Sequence, residues 1–170
     1  MSSRGPRTLA LVGFMGAGKT LVGALVAERA AAEFHDLDLM IEDVAGMAIS
    51  DIFATRSEAA FRAIESDLLP KALQPGSVVA LGGGTTVDDR NWNLIRERAM
   101  TVYLRASFET LWTRISGLVI TRPLAGGRPR AKLEALLEQR RPRYEEADHT
   151  VDANAEPDVV AAEVLRLWSG

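Results

Sequence analysis

The sequence predicts an α/β protein of three layers, a parallel sheet with helices on both faces. Two observations predict it. Short apolar runs that read as buried strands alternate with stretches of helical period, and the chain opens as strand, glycine-rich loop, helix. A third observation sets the scale. The chain has 170 residues without internal repeat, low-complexity tract or interdomain linker, which suits one domain spanning 1–170. Crossovers between the strands should be right-handed.

Thr8–Val12 is too short for a helix and stops at Gly13, so it reads as a buried strand. From Lys19 to about Ala32 the period is helical, with Leu21, Leu25 and Val26 on one face. Phe34–Leu37 reads as a weak second strand ending in acidic residues. Leu39–Val44, Ile49–Ala54 and Glu58–Leu69 read as helices, the last kinked or ended by Pro70. Pro75–Gly76 marks a turn before a third strand, Ser77–Leu81. Asp88–Ala99 reads as a helix with acidic residues at its start, Met100–Leu104 as a fourth strand and Phe108–Ile115 as a helix. Residues 117–130 are rich in glycine and arginine, and a long irregular segment of that kind suits a lid or binding loop. Ala131–Ala147 reads as a helix, His149–Val151 as a last short strand, and Pro157 suits the first turn of a closing helix.

Composition narrows the classes of function. The chain is 47% hydrophobic and 25% charged, with a net charge of −3, so no basic face for nucleic acid is indicated. Cysteine is absent, which excludes disulfides and thiolate metal sites. Met1–Arg7 lacks the apolar core of a secretory signal, and no apolar run approaches the ~18 residues of a membrane span. A cytoplasmic protein is expected. No exposed apolar stripe demands a partner, so a monomer is expected.

The chemistry begins at Gly13-Phe-Met-Gly16-Ala17-Gly18-Lys19-Thr20, which fits G-x-x-x-x-G-K-[ST] at every fixed position. In such a loop glycines let backbone N–H groups turn toward a polyphosphate. Lys19 adds a cation for the β and γ phosphates, Thr20 a hydroxyl for Mg²⁺, and the following helix its positive N-terminus. Asp36 and Asp38 are expected at the end of the second strand, where residues i and i+2 share a face. One carboxylate there could hold a Mg²⁺ shell and the other accept a hydroxyl proton. The plainer reading is an acidic turn in which Asp38 caps the next helix. Arg62 lies on a helix with Glu65 at i+3 to hold it. Singly, Arg62, Arg122, Arg140 and Arg141 read as surface charges; converging on one pocket, they would suit an anionic acceptor. Gly82–Gly84 directly follows a strand, as a tight turn or a close approach of ligand to backbone requires. His35 and His149 read as structural, and Trp92, Trp112 and Trp168 as packing or surface residues.

Together these motifs resemble the shikimate kinases from about Leu9 to Pro157. The phosphate loop, Asp36-x-Asp38, Ile-Ser-Asp-Ile-Phe53-Ala, Glu58-Ala-Ala-Phe61-Arg62-Ala-Ile-Glu65, Ala-Leu-Gly82-Gly83-Gly84, Arg122-Pro-Leu and Arg140-Arg-Pro-Arg-Tyr144 follow in the family's order. The loop alone is generic, whereas the ordered set is specific. The resemblance implies a P-loop kinase sheet of five parallel strands in the order 2-3-1-4-5, with ATP·Mg²⁺ as donor and the 3-hydroxyl of shikimate as acceptor.

It also implies roles. Gly16, Ala17, Gly18, Lys19, Thr20 and Leu21 would surround the nucleotide phosphates, and Thr20 and Asp36 would serve Mg²⁺. Asp38 would hold the acceptor's hydroxyls and act as base. Arg62 and Arg140 would grip its carboxylate, Gly82, Gly83 and Gly84 would meet it through backbone, and Phe53 and Phe61 would line its pocket. Arg122 would neutralise charge in the transition state. Arg114 and the Val151–Pro157 segment would flank the adenine. The spacing after the Arg-Pro leaves Arg141 as an alternative to Arg140. Other readings are a kinase for another polyol acid such as gluconate, or a nucleotide-binding regulatory module without turnover.

Overall fold

The computed structural model describes residues 6–117 and 130–170. In chain order these form β1 (Thr8–Val12), α1 (Lys19–Ala30), β2 (Phe34–Asp36), α2 (Leu37–Ala45), α3 (Ile49–Thr55), α4 (Glu58–Ala72) and β3 (Val78–Ala80). A short 3-10 turn (Thr85–Val87) leads into α5 (Asp89–Arg98) and β4 (Ala99–Arg105). Then come α6 (Phe108–Gly117), α7 (Arg130–Tyr144), β5 (His149–Asp152) and α8 (Pro157–Ser169). The strands form one five-stranded sheet in the order β2-β3-β1-β4-β5, parallel throughout. Fold class and strand order are therefore those expected.

Position in the sheet follows from the strand sequences. All five residues of β1 are buried, because this strand lies between β3 and β4 with helices over both faces. The edge strand β5 has only Val151 buried. Leu9, Leu11, Leu37, Ile41 and Leu69 are all wholly enclosed. Each such side chain contributes about 2 kcal/mol by leaving water. Because every strand runs the same way, the segments that follow them emerge along one edge. The loop after β1, Asp36 at the end of β2, Gly82–Gly84 after β3 and Ala153 after β5 are thereby brought side by side.

Several local expectations need correction. The buried seam of α1 is Val22, Gly23, Val26 and Ala27, whereas Leu21 is 54% exposed. Leu21 sits in the first turn of α1, outside that seam. At Gly23 a Cβ would stand 2.6 Å from the Phe34 ring, so this position is small because β2 packs against it. Pro70 does not end α4, which continues to Ala72. The proline removes one N–H near the helix end, while burial of Leu69, Ala72 and Leu73 holds the last turn in place. The helix predicted from Asp88 starts one residue later, with Asp88 as its N-cap accepting from the N–H groups of Arg90 and Asn91. Trp92 is a core residue, and the indole of Trp168 donates to the Arg7 carbonyl. Among the described residues no helix is long and apolar enough to cross a membrane.

Candidate active site

A cavity of about 750 Å³ opens along this edge of the sheet. Met15–Val22, Asp36, Asp38, Gly83, Arg114 and Ala153–Pro157 line it, so five expected regions share one space. The loop between β1 and α1 forms its floor. At Gly13 a Cβ would stand 2.9 Å from the Leu104 carbonyl oxygen of β4, too close for any side chain. Gly18 caps α1 with a φ of +91°, a left-handed conformation that favours glycine. The first turn of α1 holds no acidic residue, so its N–H groups and partial positive charge stay available to an anion. The Lys19 ammonium curls back over the loop, donating to the carbonyls of Gly13 at 2.5 Å and Phe14 at 3.1 Å.

The acidic pair differs in detail from expectation. β2 ends at Asp36, and Asp38 already stands in the first turn of α2, so strand alternation does not align the two carboxylates. The cap of α2 is Asp36, whose Oδ1 accepts from the Leu39 N–H; Asp38 is not the cap. The other oxygen of Asp36 accepts from the Thr20 hydroxyl at 2.5 Å. A carboxylate fixed by its own helix is thus joined to the hydroxyl of the phosphate loop. The Asp38 carboxylate turns to the glycine run, its Oδ1 2.8 Å from where a Gly82 Cβ would be. That space exists because position 82 has no side chain.

The guanidiniums meet at the same run. At Gly84 a Cβ would stand 2.5 Å from Arg62 Nη2 and 3.2 Å from Arg140 Nη2. Arg62 comes from α4 and Arg140 from α7, so only the tertiary fold brings these charges together. Arg62 is aimed by Glu65, as its i+3 spacing suggested, through a 2.9 Å bond from Nη1 to Oε1. Glu65 is only 1% exposed, and its other oxygen accepts from the buried Thr85 hydroxyl at 2.8 Å. Between the two candidate arginines on α7 the geometry separates cleanly. Arg140 faces Gly83 and Gly84, whereas Arg141 pairs with Glu138 on its own helix. The rings of Phe53 and Phe61 pack at 5.0 Å, and the Arg62 guanidinium lies 5.0 Å over the Phe61 ring. The Phe61 ring thus meets the arginine and Phe53 packs on Phe61, and neither ring lines the cavity.

On the opposite side, Arg114 ties loop to sheet. It donates to the carbonyls of Gly16, Ala17 and, at 2.8 Å, Ala153 just after β5. Arg122 and most of the expected lid, 118–129, lie outside the described residues. Sequence reading missed Thr85 and Asn91. Thr85 holds Glu65, and Asn91 donates to the Thr85 carbonyl while accepting from Ser66. No spacing rule marks them; the available signal was a hydroxyl immediately after three glycines. Among the described residues no cluster of three or more His, Cys, Asp or Glu could hold a metal by itself.

Comparison with known proteins gives the family. A family profile described as shikimate kinase matches residues 15–168. A shikimate kinase of Parasynechococcus marenigrum is 45% identical over 166 residues, covering 96% of this chain and 86% of its own. One of Salinibacter ruber is 40% identical over 172 residues, covering 95% and 84% respectively. A solved shikimate kinase from Acinetobacter baumannii, in complex with shikimate, superposes with a TM-score of 0.86 at 33% identity, covering 95% of this chain and 92% of the other. The chain therefore belongs to the shikimate kinase family, ATP-dependent kinases whose acceptor is shikimate.

Proposed function

We propose that this protein transfers the γ-phosphoryl group of ATP to the 3-hydroxyl of shikimate through the residues gathered at the strand ends. The observation that carries this assignment is the meeting of Arg62 and Arg140 at Gly84, with the Asp38 carboxylate at Gly82, beside the phosphate-loop cavity. Two guanidiniums suit a carboxylate and one carboxylate suits hydroxyls, the two polar groups of shikimate. The Acinetobacter baumannii relative was solved with that ligand.

In this reading the N–H groups from Gly16 to Leu21 cradle the phosphates, and Lys19 leaves the Gly13 and Phe14 carbonyls to meet them. Thr20 and Asp36 supply adjacent hydroxyl and carboxylate oxygens 2.5 Å apart. That donor set fits Mg²⁺, which takes oxygen ligands, keeps waters and is held largely by substrate phosphates. When bound, the ion would neutralise phosphate charge during transfer. Asp38 holds the 3-hydroxyl and takes its proton as the oxygen attacks in line, and ADP leaves. Arg62 and Arg140 anchor the carboxylate, the Gly82–Gly84 backbone approaches the ring, and Phe53 and Phe61 flank it. Arg114 and Ala153–Pro157 border the adenine. We take the working unit to be a monomer, one kinase domain, acting in the ATP-supplied cytoplasm.

The test is ADP release measured in parallel with shikimate, gluconate and nucleoside monophosphates. Release well above background with shikimate alone is expected. Background release with shikimate, or a faster reaction with gluconate, overturns the assignment.

A further inference from the structure

Tyr144 ends α7 and is wholly buried, its ring packed at 5.2 Å from that of Tyr103. Its hydroxyl is directed out of this apolar setting. It donates to the Gly83 carbonyl, 61 residues away in sequence, at 2.5 Å. Burial pushes the phenol up to about 12, with the Arg140 guanidinium beside it pulling the other way. The hydroxyl therefore keeps its proton to donate and has the carboxylate-binding arginine as its neighbour.

The glycine run explains why such a bond matters. A peptide between two glycines has no side chain to bias its rotation, so it can flip at little steric cost. The Gly82 and Gly84 carbonyls are held by local turns, accepting from the N–H groups of Thr85 and Val87, both at 3.2 Å. The Gly83 carbonyl is held by a distant side chain instead. No peptide bond of the described chain is cis, so the Gly84 N–H points opposite to the Gly83 oxygen. Fixing that oxygen toward the buried phenol fixes the N–H away from it, at the residue where Arg62 and Arg140 converge.

We propose that Tyr144 is a positioning residue for the acceptor: its hydroxyl latches the Gly83–Gly84 peptide and steadies the neighbouring Arg140, so that backbone donor and guanidinium present one register to the substrate carboxylate. This inference rests on the shikimate assignment above. It extends that assignment to a side chain set in the core behind the glycine run.

The experiment is Tyr144→Phe, which keeps the ring and removes the hydroxyl. The KM for shikimate is expected to rise about tenfold, the consequence of one unmade buried hydrogen bond, while the KM for ATP stays within about twofold. A purely structural role would lower Tm and leave both KM values unchanged. That result, or an equal rise for both substrates, overturns the proposal. Combining Tyr144→Phe with Arg140→Lys gives an independent reading, because residues that act as one unit lose less together than the sum of the separate losses. Strict additivity counts against the latch. Should Tyr144→Phe fail to fold, Tyr103→Phe leaves Tyr144 as the single tyrosine of a chain that has two. Its ring resonance should then shift on titration with shikimate and not with ADP; a signal indifferent to shikimate refutes the idea. If the unaltered enzyme does not phosphorylate shikimate, the functional assignment falls and this inference with it. If that enzyme is active and Tyr144→Phe matches it, the inference falls alone.

Discussion

Removing the Arg62 side chain tests substrate binding and local electrostatics separately. Its Nη1 is bonded at 2.9 Å to Glu65, which is 1% exposed, while Arg62 itself is 33% exposed. Among the described residues, Arg62→Ala leaves the Glu65 carboxylate with the Thr85 hydroxyl as its remaining hydrogen-bonded partner. Orphaning a fully buried charge costs about 3–5 kcal/mol, but the partial exposure of Arg62 means that its removal admits water. We expect about 1–3 kcal/mol, a Tm loss of about 2–12 °C for a chain of this size. Adding Glu65→Gln removes the orphaned charge and keeps an oxygen for Thr85, so most of that Tm should return. Catalysis should not return. Losing one charged hydrogen-bond partner of the acceptor carboxylate lowers kcat/KM for shikimate by about 2–4 kcal/mol, roughly 30-fold to 1000-fold, in single and double variants alike. Coupled ADP release with a thermal melt on the same samples gives both readings. A double variant that regains activity along with stability would show that Arg62 acts only through the fold, and unchanged kcat/KM in Arg62→Ala would refute its contact with the acceptor.

Three further outcomes follow from the same geometry. Gly84→Ala places a methyl 2.5 Å from Arg62 Nη2 and 3.2 Å from Arg140 Nη2, the ends of flexible side chains. The protein should fold normally with the KM for shikimate raised about tenfold and that for ATP unchanged; equal KM values would place the guanidiniums elsewhere. Asp36→Asn keeps a good helix cap and removes the charge beside Thr20, so Tm should hold within about 2 °C. The Mg²⁺ concentration giving half-maximal rate should rise severalfold, and an unchanged Mg²⁺ dependence would remove Asp36 from the metal's surroundings. Burial raises the Tyr144 phenol from the ordinary 10.0 to about 12 and raises Tyr103 as well. A folded value above the unfolded one means that the associated stability is full below pH 10 and is lost as pH climbs toward 12. Tyrosinate absorbance should therefore appear together with loss of helical circular dichroism, whereas both tyrosines titrating at pH 10 in a still-folded chain would contradict this burial.

Legibility in the sequence depended on how local the determining physics was. The phosphate loop could be read because its demands fall within eight consecutive positions, Gly13–Thr20. The Arg62–Glu65 bond was foreseeable because neighbours three apart on a helix meet. The strand argument for Asp36 and Asp38 failed because Asp36 caps α2 and ends β2 there. Cap formation satisfies an orphan helix N–H, and that local gain turns the chain one residue before alternation could act. Thr85 and Asn91 left no pattern, since their partners come from other elements.

By itself the sequence determined the class of donor and the order of the layers, because both rest on short-range rules: a loop that exposes N–H groups, and periods that mark strand or helix. It also supplied the ordered motifs by which the family is recognised. Only the tertiary structure decided which charges share a site. Arg62 and Arg140 are 78 positions apart by their numbers, yet both reach Gly84 because parallel strands deliver every following segment to one edge. It also turned Arg140, and not the adjacent Arg141, toward the glycine run. The two differ by one residue, which on a helix is about 100° of rotation, enough to send one to the glycine run and the other to Glu138.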